Sequence, residues 1–229
     1  MREIVVASVF IIFAFVAAFP QAEADPIAVL KAEDARRFDA DVEKFLTGKY
    51  PEKSVIRALL AAGRIGDERA IPSVERLLVQ GSSNVKEMAA FALGEIESLK
   101  AADAVITALN DVQTPNAVRA RLVEAAGKIA GANAGPPTVS AESRNPKVID
   151  LGNAILDTLE AEEAKRQLQH KDTVILGLTA ALRARPDGGD VVVAMFLTNL
   201  DARVRSDAAN TLARLRAKNA NLALRGMLI

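Results

Sequence analysis

The sequence predicts an all-α chain, an α-solenoid of about five stacked helical hairpins behind an N-terminal helical cap. Three observations predict it. An apolar pattern of helical period recurs five times along the chain. Each occurrence carries alanine or glycine at matching places. No stretch sustains the period-two alternation of a strand.

Composition agrees. Half of the 229 residues are hydrophobic and a quarter are charged, the balance of a globular chain rather than a disordered one. Aromatic residues make up 4%, with one Tyr (Tyr50) and no Trp. The core must therefore be built from Ala, Leu, Ile and Val, which suits closely packed helices. The formal net charge is +0, so bulk nucleic acid is not implied as a partner. There is no Cys, which excludes disulfides, thiolate metal sites and a lipidated N-terminal cysteine.

In chain order, Ile4 to Phe19 (IVVASVFIIFAFVAAF) is an apolar run behind Arg2. Pro20 and the small-x-small triplet Ala22-Glu23-Ala24 follow it. That is the order of a secretory signal peptide over 1–24, cleaved after Ala24. It predicts an exported chain, periplasmic or extracellular. Its rival is an uncleaved anchor, the one expected route to a membrane. Residues 25–50 read as a capping helix, with Asp25 as N-cap, Pro26 in the first turn, and Leu30, Phe38, Val42, Phe45 and Leu46 turned toward the first repeat.

The array proper spans 51–229. Five first helices start from Ser54, Val85, Val118, Val174 and Val204, and their tenth positions are Gly63, Gly94, Gly127, Arg183 and Ala213. The eighth positions, Ala61, Ala92, Ala125, Ala181 and Thr211, are small enough to let successive first helices approach closely. Ile65, Ile96, Ile129 and Leu215 recur two residues after the tenth column, where Arg185 departs. Second helices follow as apolar stripes: Ile71, Val74, Leu77 and Leu78; Val105, Ala108 and Leu109; Val148, Leu151, Ile155 and Leu159; Val192, Met195 and Phe196. Asp67 and Pro72 suit a turn and a helix start. Gly131 to Pro146 (GANAGPPTVSAESRNP) reads as an inserted loop, 131–146, that splits the third pair. The chain closes on Leu224, Met227, Leu228 and Ile229, which either plug the last groove or lead into a longer protein.

VKEMAAFALGEI, SVIRALLAAGRIGDERA and VRSDAANTLARL resemble the HEAT repeat, and more closely its short variant named after phycobilisome lyases, whose motif runs roughly V-R-x-x-A-A-x-A-L-G-x-I-G-D-x-R-A. The resemblance covers about residues 50 to 229, with Ala213 in the Gly place and a degenerate fourth copy. It implies an armadillo-like solenoid whose concave face binds other proteins. Exported arrays of this kind also precede cyclophilin-type peptidyl-prolyl isomerase domains, so the targeting array of a longer enzyme is the alternative. A role with bilin-bearing proteins follows from the family name alone.

No residues assemble into recognisable chemistry. His170, in QLQHKD, stands alone and reads as an exposed helix-end residue. Gly188-Gly189 reads as a turn and not a phosphate cradle. Asp157, Glu160, Glu162 and Glu163 alternate with Lys and Arg in the manner of a solvated helix face. From Lys171 onward nine basic residues outnumber five acidic ones, a surplus that would suit anionic lipid, a polyanion or an acidic protein. Nucleic acid is disfavoured because aromatic stacking partners are missing. The expectation is a non-enzymatic, protein-binding scaffold of the bacterial cell envelope or extracellular space. No catalytic, cofactor-binding or metal residues, no small-molecule substrate and no cofactor are predicted, and the sequence names no binding residues.

Overall fold

The computed structural model describes residues 26–135 and 143–226. The proposed signal segment, Asp25 and Met227 to Ile229 lie outside the described residues. All secondary structure among those described is helical. Two short helices, α1 (Pro26–Asp34) and α2 (Ala40–Glu43), lead the chain. Five hairpins follow: α3 (Glu52–Ile65) with α4 (Ile71–Gln80), α5 (Ser83–Ile96) with α6 (Ala102–Asn110), α7 (Asn116–Asn133) with α8 (Pro146–Ala164), α9 (Lys171–Ala184) with α10 (Gly189–Ala194), and α11 (Ala202–Leu215) with α12 (Asn221–Gly226). None of these helices is long and apolar enough to cross a membrane.

The first helices stack on one another through their small columns. A methyl group added at Gly63 would come within 3.0 Å of the Ala92 Cα, one at Gly94 within 2.9 Å of the Ala125 Cα, and one at Gly127 within 2.5 Å of the Ala180 Cα. Backbone thus meets backbone at these three steps: a Cβ would crowd Ala92 at Gly63 and would force a shift at Gly94 and Gly127. Around these contacts Leu59, Leu93, Leu122, Ile129 and Leu178 are fully buried. The second-helix stripes close the other side of the same core, with Val74, Val105, Leu151, Ile155 and Leu159 among the most buried residues.

The Gly127 contact corrects the register of the fourth copy. The helix starts at the N-caps Ser82, His170 and Asp201, and each lies three residues before a buried first position: Val85, Thr173 and Val204. The left-handed C-cap residues Glu97, Arg185 and Arg216 keep the same phase. The fourth copy therefore begins at Thr173, not Val174, and its eighth position is Ala180, not Ala181. Val174 imitated the first column because it too is buried.

Other expectations shift for local reasons. The cap is a pair of short helices and not one, because Arg36 adopts a left-handed conformation after α1. Phe38, Val42, Phe45 and Leu46 are buried as expected, while Leu30 is exposed. The inserted loop is shorter than 131–146, since α7 runs on to Asn133 and carries Gly131 inside it against Arg183. Residues 136–142 of that loop lie outside the described residues. In the fourth pair the backbone tightens into a 3-10 turn at Met195–Thr198. Val192 and Val193 of α10 are buried, and in the turn Phe196 and Leu197 are buried while Met195 is turned outward.

Polar side chains tie each hairpin to the next. Arg119 donates to the carbonyls of Leu109, Asp111 and Thr114, and Arg205 to those of Asn199 and Leu200. In both copies the Arg of the Val-Arg dipeptide closes off the end of the preceding second helix. Across the first-helix layer, Glu33 of α1 holds Arg57 and Arg64, and Lys128 bridges Glu95 and Glu124 at 2.5 and 2.8 Å. Burial pushes the Glu33 carboxyl up, but its hydrogen bonds and charge contacts with Arg64 and Arg57 outweigh this and hold it below its ordinary value of 4.5.

Two outcomes follow. Ala92→Leu forces a branched side chain into the Gly63 contact and lowers stability by about 1–3 kcal/mol, read as a lower Tm in thermal unfolding. Because the folded Glu33 carboxyl titrates lower than the unfolded one, its contribution is present above pH 4.5 and is lost as pH falls through the lower folded value. Glu33→Gln destabilises the chain at pH 7 and flattens the acid limb of its stability profile.

Candidate functional site

The tight first-helix layer has a counterpart on the opposite side. The second helices carry larger side chains and end against turns, and clefts open between their C-terminal ends. Two of these flank the end of α8. Toward α6 lies a cleft of about 400 Å³, lined by Leu109, Val112, Thr114, Asp157 and Lys165, with Arg119 beneath it. Toward α10 lies one of about 800 Å³, lined by Arg166, Gln167, Gln169, Met195 and Leu200, with Lys171 at its edge.

These clefts combine exposed aliphatic groups with fixed polar ones. Val112, Leu168 and Leu200 each stand in the turn between consecutive hairpins and are largely exposed, and Met195 is partly so. Asn199 is held between hairpins, donating to the Gln169 Oε1 at 2.6 Å and accepting from the Asp201 N–H at 2.9 Å. Three ion pairs border the two clefts, each at 2.6 Å: Lys165 with Glu162 beside the smaller, and Arg166 with Glu163 and Lys171 with Asp201 beside the larger.

The residues singled out in the sequence have structural work here. His170 is half-buried rather than exposed and is the N-cap of α9. Its Nδ1 accepts from the Thr173 N–H at 3.4 Å and lies 2.9 Å from the Thr173 Oγ1. Glu87, Arg121 and Asp172 share a cleft of about 380 Å³ with it, and Arg121 is itself held by Glu124 at 3.0 Å and Glu87 at 3.4 Å. The acidic group is not one solvated face. Glu162 is buried, accepting from the His170 N–H at 2.7 Å as well as from Lys165. It thereby fastens the start of α9 to the end of α8. Asp157 and Glu160 are exposed, and Glu163 pairs with Arg166. Gly188 takes the left-handed turn before α10, and Val191 to Val193 are helical. Among the described residues no three His, Asp or Glu side chains are placed to hold a metal ion. The basic surplus is divided: Lys171 and Arg203 are paired with acids and Arg205 is spent on backbone carbonyls. The clefts themselves were missed by sequence reasoning. Their signal is a lone aliphatic residue inside an otherwise polar turn: Val112 in the smaller cleft and Leu200 in the larger.

The family model for the PBS lyase HEAT-like repeat matches residues 85–111, which is the second hairpin. No curated protein matches the chain. Among solved structures, the crystal structure of an engineered protein is 18% identical, covers 88% of this chain and 64% of its own, and has a TM-score of 0.35. This chain thus spans 64% of that structure's length. The family match and the strandless architecture of the described residues support a HEAT-repeat protein, an all-α solenoid of HEAT-like hairpins.

If His170 is a capping residue, its substitutions sort by capping ability and not by proton chemistry. His170→Ala lowers stability by about 1 kcal/mol, and His170→Asn, a strong N-cap, restores it. Urea unfolding of the two variants beside the parent chain measures both.

Proposed function

We propose that the chain is a non-catalytic scaffold that binds another protein of the bacterial cell envelope or extracellular space. The observation that carries this reading is the pair of clefts between the second helices. They are lined by exposed aliphatic and amide side chains and set on a rigid stack. Such surfaces, repeated along an array, present a broad face to a partner. The apolar run 4–19 and the triplet Ala22-Glu23-Ala24 support the location, as the marks of an export signal. His170 is engaged in capping and the Arg121 beside it is paired with Glu124 and Glu87, which supports binding over chemistry.

The test is retention of a defined envelope protein by the immobilised chain, followed by titration of the purified pair. Saturable binding lost in Asp157→Arg with Met195→Asp, two exposed second-helix changes, is the expected result. Retention of nothing, or equal retention by that variant, overturns the reading. In the same cells, an intact mass that begins at Asp25 in the envelope fraction is expected. A chain found only in the cytoplasm overturns the location.

A further inference from the structure

We propose that the edge formed by the turns between consecutive hairpins binds an extended acidic segment of the partner, with aliphatic residues at every third position. The proposal rests on the scaffold reading and names what that surface takes.

Three features define the occupant. The first is spacing. Val112, Leu168 and Leu200 occupy three successive inter-hairpin turns and are 84%, 85% and 77% exposed. Packed helices lie roughly 8–10 Å apart, and three residues of polyproline II conformation advance about 9 Å. One aliphatic side chain every third residue therefore keeps step with the hairpins. The second feature is access. Val112 lines the cleft on one side of α8 and Leu200 the cleft on the other, so an extended strand that runs from turn to turn passes the mouths of both. Leu109 and Val112 on one side of α8, and Met195 and Leu200 on the other, offer that strand apolar seats.

The third feature is charge. In the three ion pairs along this edge the acid lies inward and the base outward. Glu162 is 1% exposed and Lys165 42%; Glu163 is 23% exposed and Arg166 78%; Asp201 is 37% exposed and Lys171 53%. The pairs are neutral in sum, and in each the base is the more exposed partner, most clearly at Lys165 and Arg166 in the turn after α8; Asp111 and Asp157, both exposed, lie on the side toward α6. Carboxylates on an arriving segment meet ammonium and guanidinium groups already fixed from behind. Gln167 and Gln169 stand between these cations, with amide groups suited to peptide N–H and C=O groups.

The experiment is fluorescence anisotropy of the chain, with labelled peptides of about twelve residues in Glu-Pro-Leu repeats, a sequence that favours polyproline II. Lys-Pro-Leu and Glu-Pro-Ser repeats serve as controls. Saturable binding of the Glu-Pro-Leu peptide is expected, weakening as salt is raised, with both controls weaker by about tenfold or more. Leu168→Ser with Leu200→Ser, and separately Arg166→Glu, lower the affinity by a similar factor. Circular dichroism verifies that these exposed changes leave the helices intact. Equal affinity for the Lys-Pro-Leu peptide, unchanged affinity of both variants, or no binding by the parent chain overturns the proposal. The double variant also separates the two levels of the argument. If it retains the envelope partner undiminished, this assignment falls and the scaffold reading stands. If even the parent chain retains nothing, the scaffold reading itself falls.

Discussion

The approach of one first helix to the next, glycine against alanine, is the constraint on which the rest of the molecule depends. At Gly63 and Ala92, Gly94 and Ala125, and Gly127 and Ala180 there is room for backbone and little else. Contacts of this kind sum dispersion over many atom pairs at close range, and a single added methylene disturbs them. They also set the direction in which every other element points. Once the first helices are stacked at this distance, each second helix is held on the far side by its own apolar stripe. The aromatic-poor composition follows from the same requirement, because a large ring at these positions would hold the layers apart.

Charge does a second and smaller job. Most of the ion pairs are at the surface, where each contributes little, but several run between consecutive hairpins. Glu68 of the first hairpin receives Ser98 and Lys100 of the second, and Glu52 receives Ser82 and Asn84. Lys147 of α8 reaches Asp103 of α6. These contacts fix the angle between neighbours more than they add to stability. Arg119 and Arg205 act more strongly, since they satisfy carbonyls that the end of a helix leaves open. The motif's Val-Arg dipeptide thus combines a buried anchor with a clamp on the preceding hairpin.

The fold was legible in the sequence because its dominant contacts recur in register: Gly63, Gly94 and Gly127 stand at one column, and Ala61, Ala92 and Ala125 at another. Where a copy lacks those markers, reading failed by a single residue, as at Thr173. It failed again where the local backbone changed type, as at Met195 in its 3-10 turn and at Arg36 between the cap helices. The candidate site was legible only in fragments. His170 and Glu162 lie close in sequence, but their joint task of fixing the start of α9 depends on a chain reversal that periodicity does not encode. The clefts arise from the spacing of whole helices, a quantity no short motif carries. Only the aliphatic residues stranded in polar turns hint at them.

The unequal packing of the two layers has a mechanical consequence. On the first-helix side the backbones touch, so that side has no slack. On the other side the helix ends stand apart across the clefts beside α8. Rotation of one hairpin against the next therefore pivots at the glycine contacts, and a few tenths of an ångström there becomes a larger displacement at the far end of the lever. The geometry is that of a riveted fan, closed along its spine and open at its outer edge. Because α8 forms a wall of both clefts, tilting it to widen one narrows the other, and the elastic response of each depends on what fills its neighbour.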